Sequence, residues 1–311
     1  MNGKGAATLR SAAPRPYDGA LFRLYVLCLT FYAPRMAHLI HHTAIVAASA
    51  ELGAGVEIGP YAIVESGACI GPRSRVMAHA YICKGSVIGT ECQIHMGAVV
   101  GHAPQDVSYM GAATQTVLGD RVIVRENATI HRATNLDRPT SVGEGSFLMV
   151  GSHVAHDCQL GRGVYLANGA QLAGHVEIGD AAFVSGNVVI HQFVRIGCLA
   201  ILSGGSRFSM DVPPYLIGDG ANAVTSLNTV GLRRSKQFTP LDRTQLKAAY
   251  KILYRSGLAL QDAVARLKAE FDNPAVRLWV EFLEHPTKRG FCHHKAGRRS
   301  AAREREGTEP S

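Results

Sequence analysis

Residues 141–202 read SVGEGSFLMVGSHVAHDCQLGRGVYLANGAQLAGHVEIGDAAFVSGNVVIHQFVRIGCLAIL, with an aliphatic side chain at every sixth position: Val142, Leu148, Val154, Leu160, Leu166, Leu172, Ile178, Val184, Ile190, Ile196 and Leu202. A period of six fits neither an α-helix, at 3.6, nor a lone strand, at 2. It fits short strands joined at regular corners, each strand turning one aliphatic side chain inward. Extended upstream, the register runs through Ile40, Val46, Leu52, Ile58, Val64, Ile70, Val76, Ile82, Ile88, Ile94 and Val100. After a break at Asp106 and Ala112 it resumes at Leu118, Val124, Ile130 and Leu136, so 26 of 28 positions from 40 to 202 are Ile, Leu or Val. Glycine often follows directly, as at Gly53, Gly71, Gly143 and Gly161, and is expected to turn the corners.

Three such strands close a triangular coil of 18 residues. Stacked about 4.8 Å apart, about nine coils make a prism about 45 Å long. The fold class expected is therefore mostly β, a parallel β-helix (a hexapeptide-repeat solenoid), followed by a C-terminal α-helical domain. Each inward aliphatic contributes about 1.5–3 kcal/mol before entropy is counted.

The pattern lapses over 101–116 (GHAPQDVSYMGAATQT) and 132–141 (RATNLDRPTS), which should loop out from the prism. It ends at Asp211-Val-Pro-Pro, beyond which the period becomes helical. Thr239 before Pro240 is an N-cap, opening a helix to about Ser256; others should cover about 260–271 and 274–284. The division expected is 1–37 as an extension, 38–212 as the β-helix, 213–285 as the helical domain and 286–311 as a disordered basic tail.

The net charge of +8 is not a nucleic-acid footprint. Residues 1–35 and 286–311 each carry +4, leaving 36–285 neutral. The apolar stretch 21–33 is too short to span a bilayer, so no integral membrane span is expected, and Met36 is read as the true start. Seven cysteines, with no CxxC pair, read as reduced thiols of a cytoplasmic protein.

The densest chemistry is Ser152-His-Val-Ala-His-Asp-Cys158. His156 beside Asp157 could be a general base with a carboxylate to orient it. Steps of eighteen place Gly174 and Gln192 in one column with His156, flanked by His175 and His191, so polar groups gather on one edge of an apolar prism. A stacked polar ladder at a corner is the structural alternative.

The motifs HVAHDC, LANGAQLAGHV, VVIHQF, DVPPY, SLNTVGLRR and AYKILYRSG, in this order, resemble the UDP-N-acetylglucosamine O-acyltransferase family of lipid A biosynthesis, hexapeptide-repeat acyltransferases, over roughly residues 38–290. The resemblance implies a left-handed coil and a homotrimer with sites between subunits. It also implies acyl carrier protein as donor, UDP-N-acetylglucosamine as acceptor, and neither cofactor nor metal. His156 would be the base, Asp157 its orienting partner and the Gly174 N–H the oxyanion donor. Asp106, His153 and His175 would hold the glucosamine unit. His191, Gln192, Asn228 and Arg234 would line the nucleotide and phosphopantetheine pocket, and Gly204 would gauge acyl length.

Three positions depart from the family's pattern: Ser108 where Lys is usual, Val230 where Glu is usual and Ser235 where a second basic residue often follows. An altered acceptor, such as a 3-amino sugar, is one consequence; a non-catalytic trimeric scaffold is another. The related N-acyltransferases carry an N-terminal globular domain that residues 1–39 are too few to supply. A zinc hydratase on the same prism would use its histidines as metal ligands.

Overall fold

The computed structural model describes residues 38–294. Short strands form three parallel sheets, one per face of a triangular prism, with nine, nine and eight strands in the repeating body. Pairing follows the step of eighteen: Ile40 faces Ile58, Leu52 faces Ile70 and Leu166 faces Val184. The hexad residues from Ile58 onward fill the interior; Ile88, Leu118, Leu148 and Leu166 are essentially without solvent contact. Ile40, in the first coil, is 42% exposed because none of the described residues covers that end.

Two features differ from the sequence reading. First, Val100 pairs with Ile130, thirty residues on, and Ile130 pairs with Val154, twenty-four on. The loops therefore add twelve and six residues to the eighteen-residue step. Leu136, counted in the aliphatic register, lies in the second loop and is 73% exposed; its place in the series is a coincidence of spacing. Second, the glycines after the hexad residues do not turn corners. A Cβ on Gly71 would lie 2.6 Å from the Gly89 carbonyl, and one on Gly143 would lie 2.4 Å from that of Gly161. Those glycines allow close stacking of successive coils. The left-handed corner residues include many with full side chains, among them Asp157, His175 and Phe193.

Beyond the prism the chain first adds two more strands, Leu216–Gly218 and Ala223–Leu227, to one face. Four helices follow: α1 (Thr229–Arg234), α2 (Pro240–Arg255), α3 (Leu260–Glu270) and α4 (Pro274–Glu284). Thr239 and Asp242 form a capping box on α2, and Asn273 caps α4. Helix α4 is docked on the prism by buried Trp279, whose Nε1–H donates to the Pro214 carbonyl at 2.6 Å.

The expectation of disorder from residue 286 is wrong for 286–294. This segment returns along the prism: Asp211 N–H donates to the Gly290 carbonyl, Cys292 N–H donates to the Asp211 carbonyl, and His293–His294 pair with Ala223–Val224. Asp211 is fully buried and holds Arg195 at 2.8 Å, while Arg195 lies over the rings of Phe282 and Phe291. A polar, Arg-containing stretch is thus fixed by backbone bonds and one buried ion pair. The apolar stretch 21–33 and Met36 lie outside the described residues. Cys83, Cys92, Cys158, Cys198 and Cys292 are unpaired thiols. Burial raises those of Cys83 and Cys92 to about 11 and that of Cys158 to about 12, which keeps them protonated and unreactive.

Candidate active site

With the faces numbered by their opening strands, Leu39–Ile40, Ile45–Val46 and Glu51–Leu52, the corner between the second and third faces carries the column expected. The His175 N–H donates to the His156 carbonyl at 3.0 Å, and the Phe193 N–H donates to that of Gly174 at 3.1 Å, so residues 156, 174 and 192 sit on successive coils. His156 is 5% exposed, and its Nδ1 is 2.7 Å from Oδ2 of Asp157. With the Nδ1 proton assigned to that bond, Nε2 is left with its lone pair. Asp157 also accepts the Thr134 N–H at 3.1 Å, and its own N–H donates to Thr140 Oγ1 at 2.8 Å. Burial pushes the Asp157 carboxyl up, but the bonds from His156 and Thr134 outweigh it and leave it below the usual range. The carboxylate is therefore anionic and fixed.

Gly174 is required by proximity. A Cβ there would fall 2.4 Å from Cε1 and 2.5 Å from Nε2 of His156. Its N–H makes no backbone hydrogen bond among the described residues. A free donor therefore adjoins the imidazole nitrogen that would take a proton.

Asp106, from the first loop, comes within 4.0 Å of His156 Nε2. Hydrogen bonds from the Ser108 N–H and hydroxyl, with a further one from Thr134, hold it below the usual carboxylate range. Ser108 is thus turned onto its own loop. His175 lies 3.8 Å from Asp157 and edge-on to His156, and Phe193 stacks on it in turn. His153 shares a 2.7 Å hydrogen bond with Thr129 and meets His131 edge to face. His191 and Gln192 are exposed on the next coil, where the Gln192 carbonyl accepts Arg289 Nε–H at 2.8 Å.

Three expected residues lie apart from the dyad. Asn228 is 3% exposed and caps α1, with Oδ1 taking the Gly231 N–H and Nδ2 donating to the Leu199 carbonyl; its amide is occupied. Arg234 ends the same helix, exposed. Gly204 belongs to the corner between the first and second faces, stacked over Gly186, so one chain does not bring it beside His156. Sequence reasoning missed Thr134, Arg138 and the returning segment, which lie off the repeat, and Thr140, which it places in the second loop but which opens the strand Thr140–Val142.

His156, Asp157 and His175 also offer three potential metal ligands within 4.8 Å of one another. However, two ligands about 2.0–2.1 Å from a tetrahedral zinc stand about 3.3 Å apart. The 2.7 Å approach of Nδ1 to the carboxylate is instead that of a charge-assisted hydrogen bond. The geometry is that of a hydrogen-bonded imidazole–carboxylate dyad.

The family described as UDP N-acetylglucosamine O-acyltransferase, domain 2, matches residues 211–292, and the bacterial transferase hexapeptide matches residues 139–174. An acyl-[acyl-carrier-protein]–UDP-N-acetylglucosamine O-acyltransferase of Syntrophobacter fumaroxidans is 44% identical over 255 residues, covering 81% of this chain and 98% of that protein. The chain belongs to the UDP-N-acetylglucosamine O-acyltransferase family. Its namesake from Chlorobaculum parvum is 46% identical over 247 residues, spanning 78% and 93% of the two chains. Solved structures agree. The UDP-N-acetylglucosamine acyltransferase of Bacteroides fragilis superposes with TM-score 0.78 at 38% identity, covering 81% of this chain and 99% of that one. That of Francisella novicida gives 0.79 at 34%, covering 85% and 96%. The prism is accordingly the left-handed parallel β-helix with C-terminal helices that characterises the family.

Proposed function

We propose that this chain moves a fatty acyl group, a 3-hydroxyacyl group by preference, from acyl carrier protein to the 3-hydroxyl of UDP-N-acetylglucosamine. This is the first step of lipid A biosynthesis. The observation that carries the reading is the buried His156–Asp157 dyad set directly against Gly174. His156 Nε2 takes the proton of the sugar hydroxyl as its oxygen attacks the thioester carbonyl. Asp157 keeps the imidazole in the required tautomer and stabilises the imidazolium, with Asp106 adding negative charge at 4.0 Å. The Gly174 N–H stabilises the oxyanion, and the thiolate of phosphopantetheine leaves with the proton held by His156. Proton transfer and oxyanion stabilisation complete this chemistry, so the reading includes neither cofactor nor metal.

Asp106, His153 and His175 contact the glucosamine unit in this reading, and His191, Gln192 and Arg234 contact nucleotide or phosphopantetheine. Asn228 contributes by fixing helix α1, because its amide is already bonded. The working unit is a homotrimer: Gly204 can measure an acyl chain held at His156 only if the first-to-second corner of one protomer faces the second-to-third corner of its neighbour. We place the enzyme in the cytoplasm, where acyl carrier protein is charged; among the described residues no helix is long and apolar enough to cross a membrane.

The orientation of Ser108 onto Asp106 and the exposure of Val230 favour a second acceptor, a 3-amino analogue of the same nucleotide sugar. A panel of acyl carrier protein thioesters and nucleotide amino sugars, read by mass spectrometry, tests both. Acylated UDP-N-acetylglucosamine is expected. Higher kcat/KM with the 3-amino sugar would move the acceptor assignment, and no product with any acceptor would leave a binding scaffold.

A further inference from the structure

We propose that Lys288, delivered by the returning segment 286–294, is a phosphate-binding residue at the mouth of this site, with Arg138 as its partner across the cavity. The inference rests on the function proposed above and adds to it the anionic part of a substrate. A cavity of about 210 Å³ opens beside the corner column, with Arg138, His175, Glu177, Phe193, Arg195 and Lys288 among its lining residues. One wall is His175, which touches both His156 and Asp157. The ring of His175 thus stands between the cavity and the dyad.

The charges of this cavity are unevenly satisfied. Arg195 is committed to buried Asp211, and Arg138 is paired with Glu177 at 2.9 Å, both partners half exposed. Lys288 has no acidic partner among the described residues; its ammonium stands 4.2 Å from the centre of the Phe193 ring. A lysine held over an aromatic face, with its charge unpaired, provides a point charge for an oxyanion. Arg138 can exchange an exposed carboxylate for a phosphate at little cost, since such surface pairs are weak, and its planar fork suits phosphate. Burial above all, with the charges of Lys288 and Arg138 contributing, holds His175 below the ordinary histidine range against the pull of Asp157, so both cations act on the ring beside the dyad.

The segment is held firmly enough to place the ammonium. Arg289 Nε–H donates to the Gln192 carbonyl, Gly290 accepts the Asp211 N–H, and the segment ends as a paired strand. The ligand is a phosphate group, either the diphosphate of the nucleotide sugar or the phosphodiester of phosphopantetheine.

Lys288→Met keeps the stem and removes the charge. Losing one charged contact to phosphate should raise one KM roughly tenfold with kcat unchanged, and Lys288→Arg should retain most of the affinity. A rise in acceptor KM identifies the diphosphate, and a rise in donor KM identifies the phosphopantetheine. Unchanged values for both overturn the proposal. Titration calorimetry with inorganic pyrophosphate separates this result from failure of the catalytic reading. Wild type should bind it and Lys288→Met should bind it about tenfold more weakly, whether or not any sugar is acylated. Equal affinity, or no binding by wild type, contradicts the role of Lys288. Arg138→Gln should weaken pyrophosphate binding in the same direction.

Discussion

The bare Cα of Gly174 stands against the imidazole of His156: a Cβ added there would lie 2.4 Å from Cε1 and 2.5 Å from Nε2. In the proposed mechanism one residue supplies both the space for the base and the donor for the oxyanion. Gly174→Ala should displace the ring and lower turnover by about 100-fold or more, while the prism, whose core it does not enter, should melt near the wild-type temperature. Steady-state kinetics with a parallel melting curve checks this, and near-normal turnover would separate Gly174 from catalysis.

In the proposed mechanism Asp157 acts through His156, to which it is hydrogen-bonded. Asp157→Asn preserves the shape but offers an amide where Nδ1–H needs an acceptor, so turnover should fall by about 10²–10⁴ with KM little changed. A rise in KM alone would reassign Asp157 to substrate binding.

Gly204 has room for a side chain, since the nearest atom to a Cβ added there is the Gly186 carbonyl oxygen at 3.4 Å. Gly204→Met should therefore fold normally and shift preference to shorter acyl donors. Donor-panel competition measures the shift; an unchanged profile would place the length gauge elsewhere.

His131 is buried, and that burial, followed by the charge of His153, pushes its imidazole down to about 4. In the unfolded chain it titrates near 6.5. Between those values the unfolded state binds a proton that the native state excludes, so stability must fall as pH drops from 6.5 to 4, by up to about 1.4 kcal/mol per pH unit for such a residue. His153 and His175, also held low chiefly by burial, act in the same direction. Melting temperatures across this range should fall less steeply for His131→Gln than for wild type; identical slopes would contradict the assignment.

Asp211 anchors the returning segment through Arg195 and two backbone bonds. Asp211→Ala leaves a largely buried guanidinium unpaired and should cost about 3–5 kcal/mol. It should also open residues 286–294 to limited proteolysis. A protected segment in this variant would mean that the buried pair does not hold it.

The prism was legible because an interior one side chain wide takes an apolar side chain at each inward position, an aliphatic one from Ile58 to Leu202, so physical necessity recurs as a period of six. The same rule misread Leu136, since spacing alone cannot tell a coil from a loop of the same length modulo six. The glycines were found but their reason was not: corners tolerate Asp157, His175 and Phe193 at positive φ, whereas close coil stacking at Gly71 and Gly143 leaves no space for a Cβ. Within the site, steps of eighteen located residues 156, 174 and 192. Thr134 fixes Asp157 from a loop with no period, Thr140 does so from the first residue of the strand Thr140–Val142, ahead of its hexad position, and Lys288 arrives through backbone bonds that leave no pattern in the sequence.

The most direct test of the central claim is the rate of acyl transfer by His156→Ala, measured by mass spectrometry of the acylated nucleotide sugar on protein shown to keep its oligomeric state. Removing the base should reduce product formation by about a thousandfold or more. Turnover close to wild type would show that the proton leaves by another route and that the dyad is structural.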